Sequence, residues 1–256
     1  MRWYWHSLVR GVQHFFKSQK RHGVHSPLVY QLMDKDLLEP LPESVNAIQV
    51  HRKWLSGSQE KWTPLDFGAG SRSRTRHLGD AVRKATSDSR KGQFLCRWVM
   101  RFQPKYILEL GTHVGIGSAY LLEGCSQAQL YSVEGDPFLH NKAVDWLKQY
   151  GHRVHLFNGS FDEQLKEILP IHQWDLVVID GHHQGDALLK YFEMISPHLS
   201  QDAWVIMDDI HWSPDMTQAW SKIVSNANHL LTLDFLHWGV YGHAPRFQKE
   251  HFNLQY

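Results

Sequence analysis

Two stretches of the chain end an apolar run in acid and then offer imidazoles. WDLVVIDGHHQGD sets Asp180 before Gly181, His182 and His183, and AWVIMDDIHW sets Asp208 and Asp209 just before His211. Apolar runs of that length are buried strands, and side chains at the ends of neighbouring strands can meet. The pattern therefore points three carboxylates and up to three imidazoles at one spot. Clustered like charges repel, so at least one acid there should take a proton or bind a cation. Oxygen ligands would favour magnesium, manganese or calcium over zinc, and Asp180, Asp208 and Asp209 are the candidate metal ligands. The competing account is metal-free, with His183 or His211 protonated and paired to the acids.

A second kind of chemistry is suggested by YILELGTHVGIGSAYLLEG, from Tyr106 to Gly124. Ile107, Leu108 and Leu110 suit a buried strand, Gly111, Gly115 and Gly117 break it, and apolar residues then resume at helical spacing. Strand, glycine turn and helix start give free backbone N–H groups and close backbone approach, which suit a nucleotide-like cofactor. About one strand–helix–strand unit later, LYSVEGDP ends a strand in Glu134, where a carboxylate can accept both hydroxyls of a ribose. A dinucleotide turn needs G-x-G-x-x-G, and Tyr120 stands where the third glycine should fall. The PLDFGAGSRSR stretch is a competing turn, through Asp66, Gly68 and Gly70. No strand ending in an acid follows it at ribose distance, so it reads as a loop over bound substrate or as an ordinary surface loop.

These residues need a scaffold, and the spacing predicts one. Strands near 106–110, 129–134, 153–157, 174–179 and 203–208 alternate with helices near 115–124, 137–150, 161–169, 185–196 and 214–226, the pattern of a doubly wound α/β sheet, mostly parallel. Asp136 and Pro137 mark the start of one helix as cap and first residue. Leu230–Phe235 and Trp238–Tyr241 are too close for a crossover, so they predict a C-terminal antiparallel hairpin. Residues 1–103 read as a helical N-terminal cap and loop region, and 104–256 as the cofactor-binding core. Trp5, Leu8, Val12, Phe15 and Phe16 share one face of a basic N-terminal helix, which can lie on a membrane or on a partner but is more often packed on its own protein, the arrangement expected here.

At 256 residues and 42% hydrophobic content the chain can bury a core. Residues 1–105 carry 19 Lys+Arg and 8 Asp+Glu, or +11, and the remainder 8 and 18, or −10, giving the net +1. The basic half raises an RNA-binding alternative, but its Trp98 and Phe102 fall at core spacing, and nucleic acid is not the expected partner. Cys96 and Cys125 form no C-x-x-C pair and read as inert thiols. No apolar run approaches membrane-span length and the N-terminus lacks signal-peptide features, so a cytoplasmic protein is expected. The pattern is compatible with a homo-oligomer.

Glu109-x-Gly111-x-His113-x-Gly115 resembles the first motif of class I S-adenosylmethionine (SAM) methyltransferases, E/D-x-G-x-G-x-G. It lacks the middle glycine, as does the catechol and caffeoyl-CoA O-methyltransferase branch. The resemblance, which covers roughly residues 104–242, implies a Rossmann-like methyltransferase fold. It also implies backbone from Gly111 through Thr112 and His113 to Gly115 around the methionine part of SAM, with Glu109 near its amino group. Glu134 and Gly135 would lie on the ribose side, Gly159, Ser160 and Phe161 beside adenine, and Asp180 beside the cofactor. Ser160 could instead cap the next helix.

In that branch the fourth- and fifth-strand acids hold a divalent cation, and DDIHW resembles its D-N-x-x-W, with Asp209 in place of Asn. A lysine base stands three residues after the fourth-strand Asp in the branch. His183 has that spacing here, and an imidazole is a competent base near neutral pH. It has an equally ordinary reading as a loop histidine. The expected activity is methyl transfer from SAM to a small-molecule acceptor, at oxygen, with His183 and Asp180 as catalytic residues and magnesium or manganese as a second cofactor. The alternatives are an NAD-dependent oxidoreductase and a non-catalytic nucleic-acid-binding module.

Overall fold

The computed structural model describes residues 2–19, 23–65, 75–85, 89–226, 231–244 and 249–256. The chain opens with α1 (Arg2–Lys17), α2 (Pro27–Asp34) and α3 (Val45–Ser56), then short strands β1 (Lys61–Trp62) and β2 (Arg76–His77), α4 (Leu78–Ala85) and α5 (Ser89–Phe102). Strand and helix then alternate through β3 (Tyr106–Leu110), α6 (Ile116–Gly124), β4 (Gln129–Glu134), α7 (Pro137–Leu147), β5 (Val154–Asn158), α8 (Phe161–Ile168) and β6 (Trp174–Ile179). After these come α9 (Gly185–Ile195), β7 (Leu199–Asp208) and α10 (Pro214–Ser225), and β8 (Leu231–Asp234), β9 (Trp238–His243) and β10 (Glu250–Asn253) close the chain.

The main sheet has eight strands in the order β10-β8-β9-β7-β6-β3-β4-β5. It is mostly parallel, with β9 antiparallel to both β7 and β8, so the expected hairpin is present. β10 was not legible beforehand: four residues with only Phe252 buried give no run, and they join the sheet edge parallel to β8. β7 starts four residues before its expected position, and its pairing with β6 shifts register between Trp174 and Leu176. Asp66, Gly68, Gly70, Arg72 and Arg74, the core of the competing glycine turn, lie outside the described residues.

Contacts group the chain into two compact units, Met1–Lys35 with Leu169–Tyr256, and Asp36–Ile168. In the second unit Ile107, Leu108 and Leu110 of β3 are fully buried, and β3 pairs with β4, which pairs with β5, all parallel. Burial on both faces is why β3 reads as a nearly continuous apolar run rather than an alternating one. α4 was missed in the sequence because only Leu78 and Val82, one turn apart and both buried, mark its inner face. In the first unit α9 packs on α10, and Asp215 ties their starts by accepting the Gly185 N–H at 2.9 Å.

The N-terminal helix departs from expectation. Val12, Phe15 and Phe16 are exposed, and among the described side chains of α1 the buried one is His14. Its Nε2 lies 3.0 Å from the Asp234 backbone oxygen and 3.3 Å from its carboxylate. A buried carboxylate that needs partners has drawn in the polar edge of the helix instead of the apolar one.

Candidate active site

The glycine turn after β3 has the backbone that its residues suggested. Gly111 (φ 108°) and Gly115 (φ 81°) are left-handed, as is His113 between them at 51°. Gly115 caps the start of α6, and a Cβ there would stand 3.0 Å from the Leu147 side chain, so shape as well as dihedral disfavours a larger residue. The Gly111 and Thr112 N–H groups donate to the Val133 carbonyl on β4 at 3.0 and 3.3 Å, which ties the turn to the neighbouring strand. The Thr112 hydroxyl lies 2.5 Å from Ser132 Oγ.

Beneath the turn Glu109 is buried, and one of its oxygens accepts hydrogen bonds from both Ser118 and Ser132, the latter at 2.6 Å. Burial pushes its carboxyl up to about 7, against the opposing effect of the two hydroxyls. Glu109 thus links β3, β4 and α6 from within. Ser118 and Ser132 were not anticipated, since nothing in the sequence pairs hydroxyls 14 positions apart with an acid.

Glu134 meets the turn from the end of β4. One oxygen accepts the His113 N–H at 2.7 Å and the other accepts the Asp136 N–H at 2.8 Å. Burial raises its carboxyl despite those bonds, yet the side chain is partly exposed. A carboxylate has about four lone-pair positions, so two such bonds leave room for a pair of ligand hydroxyls. Burial holds the His113 imidazole at about 4, hence neutral, and its Nδ1 has no hydrogen-bond partner among the described residues. An acid at the strand end, left-handed glycines and an orphaned ring nitrogen fit a polar, nucleoside-bearing cofactor.

The neighbouring loops complete that half. Gly159 (φ 151°) donates to the Glu134 carbonyl at 3.1 Å, and Asn158 Nδ2 bonds the carbonyls of Glu134 and Gly135. Ser160 exchanges hydrogen bonds with Glu163, the helix-cap arrangement foreseen as its structural role, and Phe161 begins α8. Asp136 caps α7 through the Phe138 and Leu139 N–H groups, as expected. Its second oxygen accepts from Trp62 Nε1 and the Leu65 N–H, both at 3.2 Å, so one acid caps a helix and anchors the chain leading into the competing glycine stretch. The sequence did not signal this partnership across 74 positions.

In the other unit, Asp180 follows β6 and Asp208 ends β7, and the register Ile179↔Met207 puts them at adjacent strand ends. Asp209 (φ 54°) holds its carboxylate 3.8 Å from His183 Nδ1, both being partly exposed. The other two imidazoles have further partners. His182 Nδ1 lies 3.1 Å from the Tyr191 hydroxyl, while His211 Nε2 lies 2.7 Å from Asp234 and its Nδ1 3.2 Å from Thr217. Of the up to three expected imidazoles, His211 is drawn away, because Asp234 on β8 takes it as it takes His14. Among the described residues no three His, Cys, Asp or Glu side chains are placed to hold a metal ion, so Asp180, Asp208 and Asp209 do not fit as a ligand set.

Residues 108–210 match the family described as methyltransferase domain. The match runs from β3 to just past β7 and includes the glycine turn, Glu134, Asp180, Asp208 and Asp209. That stretch of the chain is similar to methyltransferase domains.

Solved structures agree in fold. The O-methyltransferase from Bacillus cereus in complex with SAH is 14% identical at a TM-score of 0.58, over 84% of this chain and 96% of that one. A SAH-bound methyltransferase from Podospora anserina is 16% identical at 0.60, over 85% and 95%. The O-methyltransferase TomG from Streptomyces achromogenes, in complex with SAM, is 14% identical at 0.56, over 84% and 96%. The match over residues 108–210 gives no support to the oxidoreductase and nucleic-acid-binding alternatives.

Proposed function

We propose that this methyltransferase moves the methyl group of SAM to an oxygen of a small-molecule acceptor, with SAM held by the turn after β3 and by the ends of β4 and β5. The observation that carries this reading is the Glu134 carboxylate fixed against the left-handed turn by the His113 and Asp136 N–H groups. Bound SAM supplies an electrophilic methyl on a sulfonium. The protein's part is to hold donor and acceptor in line, remove the acceptor's proton and limit water.

Glu134 takes the ribose hydroxyls in this reading, with Gly135 at its side. The backbone from Gly111 to Gly115 holds the methionine portion, and Gly159, Ser160 and Phe161 border the adenine. Glu109 acts as a positioning residue, holding the turn through Ser118 and Ser132. His183 is the proposed base, supported by the 3.8 Å approach of Asp209, which stabilises the imidazolium formed when a proton arrives. Asp180 is proposed to orient the acceptor. No step is routed through a divalent cation, whose ligand set the acids do not make. Residues 1–103 are proposed to shape the acceptor's surroundings.

Calorimetric titration of SAM tests the central claim. The wild type should bind saturably, and Glu134→Ala should weaken binding by about 10- to 100-fold, the worth of one or two charge-assisted hydrogen bonds. Equal affinity in a folded variant would remove Glu134 from the cofactor site.

A further inference from the structure

α1 presents an apolar stripe to solvent. Val9 is 47% exposed, Val12 52%, Phe15 66% and Phe16 81%. At 3.6 residues per turn these four fall within an arc of about 120°, and His14 lies roughly opposite its middle. His14 is also the point at which the helix is tied down, through Asp234. Arg10, Gln13 and Lys17 join it in lining a polar cavity of about 320 Å³. The docked side is therefore the polar one, and the orientation that exposes two phenylalanines follows from specific bonds at His14.

Charge identifies what would cover the stripe. Arg2, Arg10, Lys17, Lys20 and Arg21 are the charged Lys, Arg, Asp or Glu residues before Asp34, so the first 33 residues hold five cations and no acid. No described helix is long and apolar enough to cross a membrane, and α1 has 16 residues. A short helix with bulky apolar side chains along one stripe and only basic charge elsewhere suits an anionic lipid surface. Its rings would enter the headgroup boundary, and the excess basic charge of the segment would draw it to anionic headgroups.

We propose that α1 is an interfacial anchor that lays Val9, Val12, Phe15 and Phe16 into the surface of an anionic bilayer. This would bring the methyltransferase to acceptors that partition into or lie at that surface. The anchoring claim is separate from the SAM site and stands or falls alone.

Co-sedimentation with lipid vesicles tests it on the full chain. The protein should pellet with vesicles of phosphatidylcholine containing roughly a quarter phosphatidylserine, and far less with phosphatidylcholine alone or in high salt. The double variant Phe15→Ser, Phe16→Ser should lose at least about tenfold in partitioning, since it removes the two most exposed rings. Circular dichroism and SAM titration should match the wild type, because neither ring is buried. Unchanged pelleting of the variant, or equal pelleting with both vesicle types, overturns the proposal. So does a wild type that ignores vesicles, including one that forms a dimer which the double substitution dissolves; that result would assign the stripe to a second copy of the chain.

Discussion

At the level of single residues, Glu109 separates what motif reading can and cannot deliver. Its place before the glycines marked it as important, but not which way its carboxylate turned. β3 is buried on both faces, so strand alternation offered no inside or outside to choose between. Hydroxyls from β4 and α6 decide the matter, and the sequence does not display such bonds. Glu134 was more legible, because a strand-end acid facing the cleft needs only its strand to be recognised. Glu109 also makes a pH prediction. Its folded value is raised to about 7 from an unfolded value near 4.5, so the folded state holds the proton more tightly. That contribution is fully present below about pH 4.5 and is lost as pH rises through about 7. Glu109→Gln keeps an oxygen acceptor for the serines and removes the titration. The stability of wild type relative to this variant, from urea unfolding, should fall by roughly 2–3 kcal/mol between about pH 4.5 and 8. A flat difference across that range would mean that Glu109 is ionised in the fold.

Among the elements, those with strong local signals were read well and those fixed by remote partners were not. Asp136 and Pro137 announced α7, and the apolar runs announced β3, β4 and β6 almost to the residue. α4 and β10 lacked enough apolar residues to register. In the described part of α1, Val12, Phe15 and Phe16 face outward against expectation, because amphipathic spacing says which residues share a side and not which side a buried acid elsewhere will claim. In the turn between β3 and α6, left-handed Gly111 ends the strand's course and left-handed Gly115 starts the helix, with left-handed His113 between them. Gly115→Ala tests that coupling. The left-handed backbone costs a Cβ about 1–2 kcal/mol, and the 3.0 Å approach of Leu147 adds to it. Thermal melting should drop by several degrees and SAM affinity should fall with it, as measured on the folded protein well below its melting point. Loss of stability with unchanged affinity would make Gly115 a packing residue only.

For the molecule as a whole, the sequence suggested a basic N-terminal region of about a hundred residues followed by a core. Contacts gather Met1–Lys35 with Leu169–Tyr256, a grouping to which His14 and Asp234, 220 positions apart, contribute a hydrogen bond. Asp234 is the hub. It accepts from Trp220 Nε1 at 3.1 Å and the Leu236 N–H at 2.9 Å, and it lies against His211 and His14. Desolvation opposes its charge, but His14 and His211 outweigh it and hold the carboxyl far below the usual range. Burial likewise opposes the charged form of His14, and the bonds and field of Asp234 raise it on balance. The signs follow. The His14 contribution is complete below its unfolded value near 6.5 and is lost as pH rises through the higher folded value. The Asp234 contribution is present above about 3.8 and is lost as pH falls through its depressed folded value. The ion pair therefore stabilises most between about pH 4 and 6.5. His14→Gln should cost about 3 kcal/mol near pH 5.5, the scale for breaking a buried pair, and clearly less near pH 8.5. His211 and His251 border the same cavity, so the quantity to compare is the wild-type minus variant difference in urea unfolding at each pH rather than either profile alone. An equal loss at both pH values would show that His14 holds the N-terminal helix by packing and neutral hydrogen bonding, with no charge on its ring.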